Sequence, residues 1–165
     1  MPPRWRAPYG VRMAASEPFG LTLDGQLCFA LYTASRAMTG CYRTLLDQIG
    51  LTYPQFLVLL VLWERGESTV GGLGEALHLE TGTLSPLLKR LEAAGLIWRR
   101  RRRDDERSVM IGLTPEGAKL RQRVRHVPGT VGAATELDPE TIAALRDLLH
   151  RLAGRLRAAD VAEIA

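Results

Sequence analysis

Apolar residues recur at three- and four-residue steps through much of the chain, which is the period of an amphipathic helix. This pattern predicts one helix over 24–49, stopped by Gly50, and a second helix over 52–64. The second begins with Thr52 and Gln55, the two residues of a capping box, and continues through eight consecutive apolar residues. We therefore expect it to be a buried central helix.

The pattern then changes to shorter elements. Ser68 or Thr69 caps a short, glycine-rich helix, and another helix follows over 81–94. Two β-like runs at 96–98 and 108–113 enclose a charged loop, which predicts a hairpin.

Two helices that begin with proline complete the chain. Pro115 opens one that runs to about residue 126, and Asp138-Pro139 opens the last, which reaches about residue 159. A heptad-like apolar seam follows the last helix, at Ile142, Leu145, Leu149, Leu152 and Leu156. The order of elements is that of a winged helix-turn-helix with helical flanks, so the predicted fold class is mainly α (α+β).

Composition narrows the class of protein. With 165 residues, 46% hydrophobic and 24% charged, the chain has the size and balance of one folded globular domain. Two cysteines exclude a disulfide scaffold, and three scattered histidines offer no ligand spacing, so we expect no metal and no cofactor. The longest apolar run is too short to span a membrane and the first 22 residues lack an apolar signal segment, so we expect a cytoplasmic protein with no membrane partner.

The net charge of +4 is concentrated in one segment. Residues 85–107 hold eight basic and four acidic side chains, so they carry the whole excess and the rest of the chain is neutral. A protein that binds DNA concentrates cations where it contacts phosphate. Five consecutive arginines are more commonly a solvated charge run, but their position after a helix-turn-helix pattern favours DNA binding.

The side chains predicted to contact DNA lie on the helix over 81–94 and in the hairpin. Small hydroxyl residues at the start of the helix can approach the groove floor, and cations on the next turn can contact phosphate. In the hairpin, Asp105 can hold Arg107 in a fixed pose. The predicted set is Thr81, Thr83, Ser85, Pro86, Lys89, Arg90, Arg103, Asp105 and Arg107.

Three stretches of this region resemble the MarR family of bacterial transcription regulators: LSPLLKRLEAAGLI at 84–97, DER at 105–107 and LTPEG at 113–117. The resemblance covers about residues 24–160. It implies a homodimer that binds pseudo-palindromic operators in double-stranded DNA, usually as a repressor. It also implies that the basic helix enters the major groove and that Arg107 of the wing enters the minor groove.

The segments of the chain have different expected roles. Residues 1–22 contain Pro, Gly and Ser without an apolar period, which predicts a flexible N-terminal tail, and the resemblance implies that 23–165 form a single MarR-like unit. Within that unit, 24–50 and 114–160 are expected to supply the dimerisation helices around a winged helix-turn-helix over 52–113.

The first helix narrows the family. The run LCFALY at 27–32 and the later run LTYPQ resemble the organic hydroperoxide resistance regulator (OhrR) group of the MarR family. This resemblance implies that Cys28 is the peroxide-sensing thiol and that Tyr32 lies near its pocket. It further implies that Tyr42 and Tyr53 of the other subunit hydrogen-bond the thiol.

Helix geometry agrees with a site shared between two subunits. Tyr42 lies 14 residues beyond Cys28, about 21 Å along one helix, so the two cannot touch within a straight helix. If both serve one pocket, Tyr42 must come from a second chain. Apolar neighbours such as Phe29 and Trp63 would favour organic hydroperoxides as inducers. Oxidation would then yield a sulfenic acid and a disulfide with a small cellular thiol.

The second cysteine, Cys41, is expected to be structural. It lies 13 residues from Cys28, about 20 Å along the helix, which is too far for an intrachain disulfide. Cys28 would therefore act as a single sensing cysteine that needs an external thiol.

Three other functions remain open at this point. A MarR-type regulator that responds to a non-covalently bound small aromatic ligand is the main alternative, and a Cys28→Ser variant separates it from a peroxide sensor. A thiol peroxidase would need a resolving thiol and turnover, so an enzyme is not expected. Footprinting against competitor DNA would identify a sequence-neutral architectural DNA binder.

Overall fold

The part of the chain that the structure describes, residues 21–101 and 108–159 of a computed structural model, consists mainly of helices with one small sheet. In chain order the elements are α1 (Leu27–Leu46) with a 3₁₀ turn (Asp47–Ile49), α2 (Tyr53–Arg65), β1 (Ser68–Thr69), α3 (Val70–Leu77), α4 (Thr81–Ala93), β2 (Ile97–Arg101), β3 (Val109–Leu113), α5 (Pro115–Val124), α6 (Val127–Ala133) and α7 (Pro139–Ala158). The helix-turn-helix of α3 and α4, followed by the β2–β3 hairpin, is a winged helix, which confirms the predicted fold class.

The described residues fall into two units that divide after residue 40, inside α1. In the first unit, α1 begins at Leu27 and not at residue 24 as predicted. The carbonyl of Gln26 accepts the first helical bonds, from Phe29 N at 3.1 Å and Ala30 N at 3.2 Å. Cys28 is therefore the second residue of the helix.

The second unit is organised around α2. The predicted capping box is present, and the Thr52 backbone N–H donates to Gln55 Oε1 at 2.8 Å. Six of the 13 residues of α2 are buried, which confirms the prediction of a central helix. Residues of α2, α3, α4 and the sheet share one core, whose most enclosed members include Phe56, Leu59, Leu62, Leu73, Leu84, Leu88, Leu91 and Ile111.

The sheet has the order β1-β3-β2, with both pairs antiparallel. The predicted hairpin is present, but its first strand continues beyond residue 98 to Arg101, which pairs with Val109. Three arginines that were assigned to the loop therefore belong to a strand, because the backbone of β3 supplies their pairing partners. The two-residue strand β1 was not predicted.

Glycine and proline set the helix ends of the second unit. Gly50 lies in the left-handed region, with φ of 71°, and stops the first helix and its 3₁₀ turn as predicted. α5 ends at Val124, two residues earlier than expected, because Pro128 has no N–H to donate to the Val124 carbonyl. The short helix α6 that follows was not predicted. α7 begins where expected, with Asp138 Oδ1 accepting from Thr141 N at 2.8 Å.

Across the described ranges, no single helix has the length and apolar content to span a membrane, and only the bent pair Leu27–Ile49 and Tyr53–Arg65 meets both criteria when taken together.

Candidate functional site

The solvent side of α4 carries six of the side chains predicted to contact DNA. Three leucines of this helix are fully buried, and they set which face is turned outward: Leu84, Leu88 and Leu91. Of the six predicted residues, Ser85 is half-buried. The other five are exposed: Thr81, Thr83, Pro86, Lys89 and Arg90. Hydroxyls and two cations are thus available to a ligand along one helix.

The wing adjoins this helix. Arg99 Nη1 lies 3.7 Å from Glu92 Oε2, which ties β2 to the last turn of α4. The guanidinium of Arg100 lies over the ring of Trp98, with its central carbon 4.8 Å from the ring centroid. The other predicted wing residues lie outside the described residues: Arg103, Asp105 and Arg107.

A row of aromatic rings runs through the second unit. The ring centroids are 4.6 Å apart for Tyr42 and Tyr53 and 6.0 Å apart for Tyr42 and Phe56. Phe56 and Trp63 follow at 6.2 Å, edge to face. The Trp63 indole N–H donates to the Gly117 carbonyl at 2.9 Å, which joins α2 to α5. The row therefore has two phenols at one end and a fixed indole at the other.

Both phenols of this row are half-buried and neutral at physiological pH. Burial raises the pKa of Tyr42 above its ordinary value near 10, and the charge of a neighbouring Tyr53 phenolate raises it further. Burial likewise raises the pKa of Tyr53. A neutral phenol can donate a hydrogen bond to a thiolate without adding a positive charge.

A cavity of about 370 Å³ opens beside the aromatic row, between α2 and the α5–α6 segment. Its lining is mostly apolar with a charged rim: Phe56, Leu60, Trp63, Val124 and Pro128, with Glu64, Arg121 and Arg125. Of the residues predicted for the sensor pocket, Trp63 lines this cavity. Sequence reasoning did not find the two arginines, although their four-residue spacing on a helix would place them on one face.

The remaining predicted sensor residues lie in the first unit, on α1. Cys28 is exposed and Phe29 is half-buried. Tyr32 is 53% exposed, and its hydroxyl accepts from Arg36 Nη1 at 3.2 Å. The Arg36 guanidinium also lies 5.5 Å from the centroid of the same ring, so Tyr32 is held by a neighbour one turn away.

Cys41, which was predicted to be structural, is exposed in the second unit. Within the described residues, no three His, Cys, Asp or Glu side chains come together in a way that could hold a metal ion.

The amino-acid sequence is 47% identical over 132 residues to the organic hydroperoxide resistance transcriptional regulator of Bacillus subtilis (strain 168). That match covers 80% of this chain and 90% of the relative. The chain belongs to the OhrR group of the MarR family. A family model for the transcriptional regulator SarA/Rot also matches it, over residues 41–124.

Solved structures of other regulators resemble this OhrR-group chain in fold. Reduced AbfR bound to DNA, from Staphylococcus epidermidis, is 35% identical, with 81% of this chain and 94% of AbfR covered and a TM-score of 0.70. Disulfide-formed AbfR is 37% identical, with 79% and 91% covered and a TM-score of 0.59. The protein is accordingly a DNA-binding transcription regulator.

Proposed function

We propose that this OhrR-group protein is a repressor that senses organic hydroperoxides by oxidation of Cys28 and then releases its operator. The observation that carries the proposal is the pair of half-buried phenols, Tyr42 and Tyr53, with ring centroids 4.6 Å apart. Their raised pKa values keep both hydroxyls as donors, which is what a thiolate needs from its neighbours. The cavity at the Phe56–Trp63 end of the same aromatic row has a largely apolar lining, which suits the organic group of a hydroperoxide.

The proposed chemistry has two steps. The thiolate of Cys28 attacks the terminal peroxide oxygen, so that the O–O bond breaks and the cysteine becomes a sulfenic acid, while the departing alkoxide takes a proton from water and leaves as an alcohol. A small cellular thiol then attacks the sulfenic sulfur, forming a mixed disulfide and releasing water. Cys28 lies in the first turn of α1, where the helix dipole favours an anion.

The sensor is proposed to be shared between two subunits of a homodimer. Two observations support association of this chain with a copy of itself. The leucine seam of α7 is largely open, with Leu145 45% exposed and Leu156 62% exposed. On α1, Leu27 and Met38 are also exposed. In the dimer, Cys28 of one chain would meet Tyr42 and Tyr53 of the other, and these apolar residues would be covered.

DNA release would follow from the added bulk at this interface. Each subunit would present α4 to the major groove and its wing to the minor groove, so the operator would be a pseudo-palindrome. A disulfide-linked thiol at Cys28 adds volume and polarity to packed side chains. The DNA-binding regions of the two subunits, each made of α4 and the wing, would then change their spacing and no longer match the two half-sites.

A gel shift on the DNA upstream of the gene that encodes this protein tests the sensing step. Wild-type protein is expected to bind this DNA when reduced and to release it after cumene hydroperoxide and a small thiol. Cys28→Ser should stay bound under both conditions, and intact mass should show one thiol adduct per wild-type chain. Cys41→Ser is the matched control and should respond like wild type. Release of Cys28→Ser by the peroxide would contradict the proposal, as would quantitative Cys28–Cys41 cross-linked dimers.

Mixed dimers test whether the site is shared. In each dimer only one Cys28 remains, and one Tyr42→Phe is placed in cis or in trans to the Cys28→Ser change. When both changes lie in one chain, the remaining thiol faces the partner's phenylalanine and should react slowly. When they lie in different chains, it faces an intact tyrosine and should react at the wild-type rate. The opposite ranking would show that the tyrosine acts within its own chain.

The second candidate is a MarR-type regulator that responds to a small aromatic ligand bound without a covalent bond. The aromatic floor of the cavity and the rim arginines Arg121 and Arg125 favour this alternative. Benzoate is a suitable probe, because it combines one ring with one carboxylate. If benzoate releases DNA from Cys28→Ser but not from Arg125→Gln, and cumene hydroperoxide has no effect on wild type, the second candidate replaces the first.

A further inference from the structure

The outward face of β2 carries a tryptophan that lies across the neighbouring strand. Trp98 pairs directly with Gly112 of β3, and any Cβ at residue 112 would overlap the Trp98 ring. The ring therefore covers the backbone of β3 at the one position where no side chain stands in its way. The missing side chain at Gly112 thus leaves room for the Trp98 ring to lie against β3.

Trp98 in turn holds an arginine. Side chains alternate along a strand, so Trp98 and Arg100 share one face of β2 while Arg99 takes the other. Arg99 is directed to Glu92 of α4, whereas the Arg100 guanidinium lies 4.8 Å from the Trp98 ring centroid. Arg100 is exposed, and no carboxylate among residues 21–101 and 108–159 pairs with it. Its charge is thus positioned but not neutralised there.

We propose that Arg100 is a phosphate-contacting residue of the wing and that Trp98 is the residue that positions it. A guanidinium held over a ring by a cation–π contact uses none of its N–H donors on the ring, so they stay available for a phosphate. The contact also restricts a long side chain before DNA arrives, so less rotamer freedom is lost on binding. The inference rests on the DNA-binding role and assigns two further residues to it.

The test measures affinity for a labelled mixed-sequence duplex at several salt concentrations, with full-length reduced protein. A phosphate contact does not depend on base sequence, so no operator is needed. Arg100→Gln should weaken binding and reduce the slope of log affinity against log salt by about one per subunit. Trp98→Leu should weaken binding about two- to fivefold, in proportion to an exposed cation–π contact. Trp98→Phe keeps an aromatic face and should retain most of the affinity.

A double-mutant cycle separates positioning from packing. Once Arg100 is glutamine, Trp98→Leu should have no further effect on affinity. The matched control is Arg101→Gln, a neighbouring exposed arginine on the opposite face of the strand. In that background Trp98→Leu should keep its full effect.

Two results overturn the assignment. One is an unchanged salt slope for Arg100→Gln. The other is an equal loss from Trp98→Leu in the presence and absence of Arg100, which would make the tryptophan a packing residue only. Neither result involves oxidation. Failure of the peroxide response at Cys28 would therefore appear in the gel shift and leave this measurement unaffected.

Discussion

Two amphipathic helices of this chain, α2 and α7, differ in how much of their apolar face they bury. Six of the 13 residues of α2 are buried, while none of the 20 residues of α7 is. Both helices follow the hydrophobic period of a packed helix, so the period alone does not say where the partner is. For α2 the partners are other elements of the same chain. The seam of α7 is left open by the described residues of its own chain, and the dimer proposed above would cover it with a second subunit.

The largest effect is expected when charges are placed on the apolar seam of α7. Leu145→Asp combined with Leu149→Asp should convert the dimer into monomers, because two carboxylates would be buried in an apolar interface. The affinity for DNA should fall about a hundredfold or more, since the DNA-binding regions of the two subunits would no longer be linked. Light scattering and gel shifts measure the two effects. Arg151→Asp, on the opposite face of α7, should leave the dimer intact, and a double variant that stays dimeric would place the interface elsewhere.

A change in the core of α2 should act on stability within the chain. Leu59 is fully buried, so Leu59→Ala should lower the free energy of unfolding by about 2–5 kcal/mol. Its neighbour Leu60 is 37% exposed, and Leu60→Ala should cost less than about 1 kcal/mol. Urea denaturation measures both. Equal losses for the two variants would mean that α2 also depends on a partner.

The junction between the wing and α5 should show a smaller effect. The Thr114 hydroxyl donates to the Gly95 carbonyl at 2.6 Å and accepts from Gly117 N at 3.1 Å. Thr114→Ala removes the helix cap and should cost about 1 kcal/mol of unfolding free energy. Thr114→Ser keeps the hydroxyl and should lie close to wild type in thermal unfolding. A serine variant as unstable as the alanine variant would assign the loss to the methyl group.

The smallest effect on stability is expected at alkaline pH and comes from the two tyrosines of the aromatic row. Because folding raises the pKa of Tyr42 and Tyr53, the unfolded chain loses those protons first. Their contribution to stability is complete below about pH 10 and is lost as the pH rises from there through the folded-state values. In Tyr53→Phe, urea midpoints should fall less steeply across that range than in wild type. A Tyr53→Phe curve that fell as steeply as the wild-type curve would contradict this assignment.

Local signals made most of the helices predictable. The capping box at Thr52 and the proline at residue 139 set helix starts that depend on a few neighbouring residues, and the structure has both. The errors occur where a distant partner decides. Their charge predicted that Arg100 and Arg101 belong to a loop, but pairing with β3 places them in a strand. The break before α6 was missed although Pro128 carried its signal.

The parts of the candidate site differ in how far the sequence predicts them. The residues of α4 predicted to contact DNA follow from charge and from the helical period, and the structure leaves five of the six exposed. The proposed role of Cys28 came from a resemblance, since a single cysteine has no local signature of its own. The Trp98–Gly112 pair could not be foreseen, because it depends on strand register and not on spacing along the chain.

The glycine at the start of α5 has a mechanical consequence. Gly117 sits directly against the Leu96 carbonyl, and that same carbonyl accepts from Thr114 N at 3.1 Å. Through the bond from Trp63, the carbonyl of Gly117 also joins α5 to α2. The start of α5 is therefore bonded both to the base of the wing and to α2. We expect a tilt of α5 to displace the base of the wing with it.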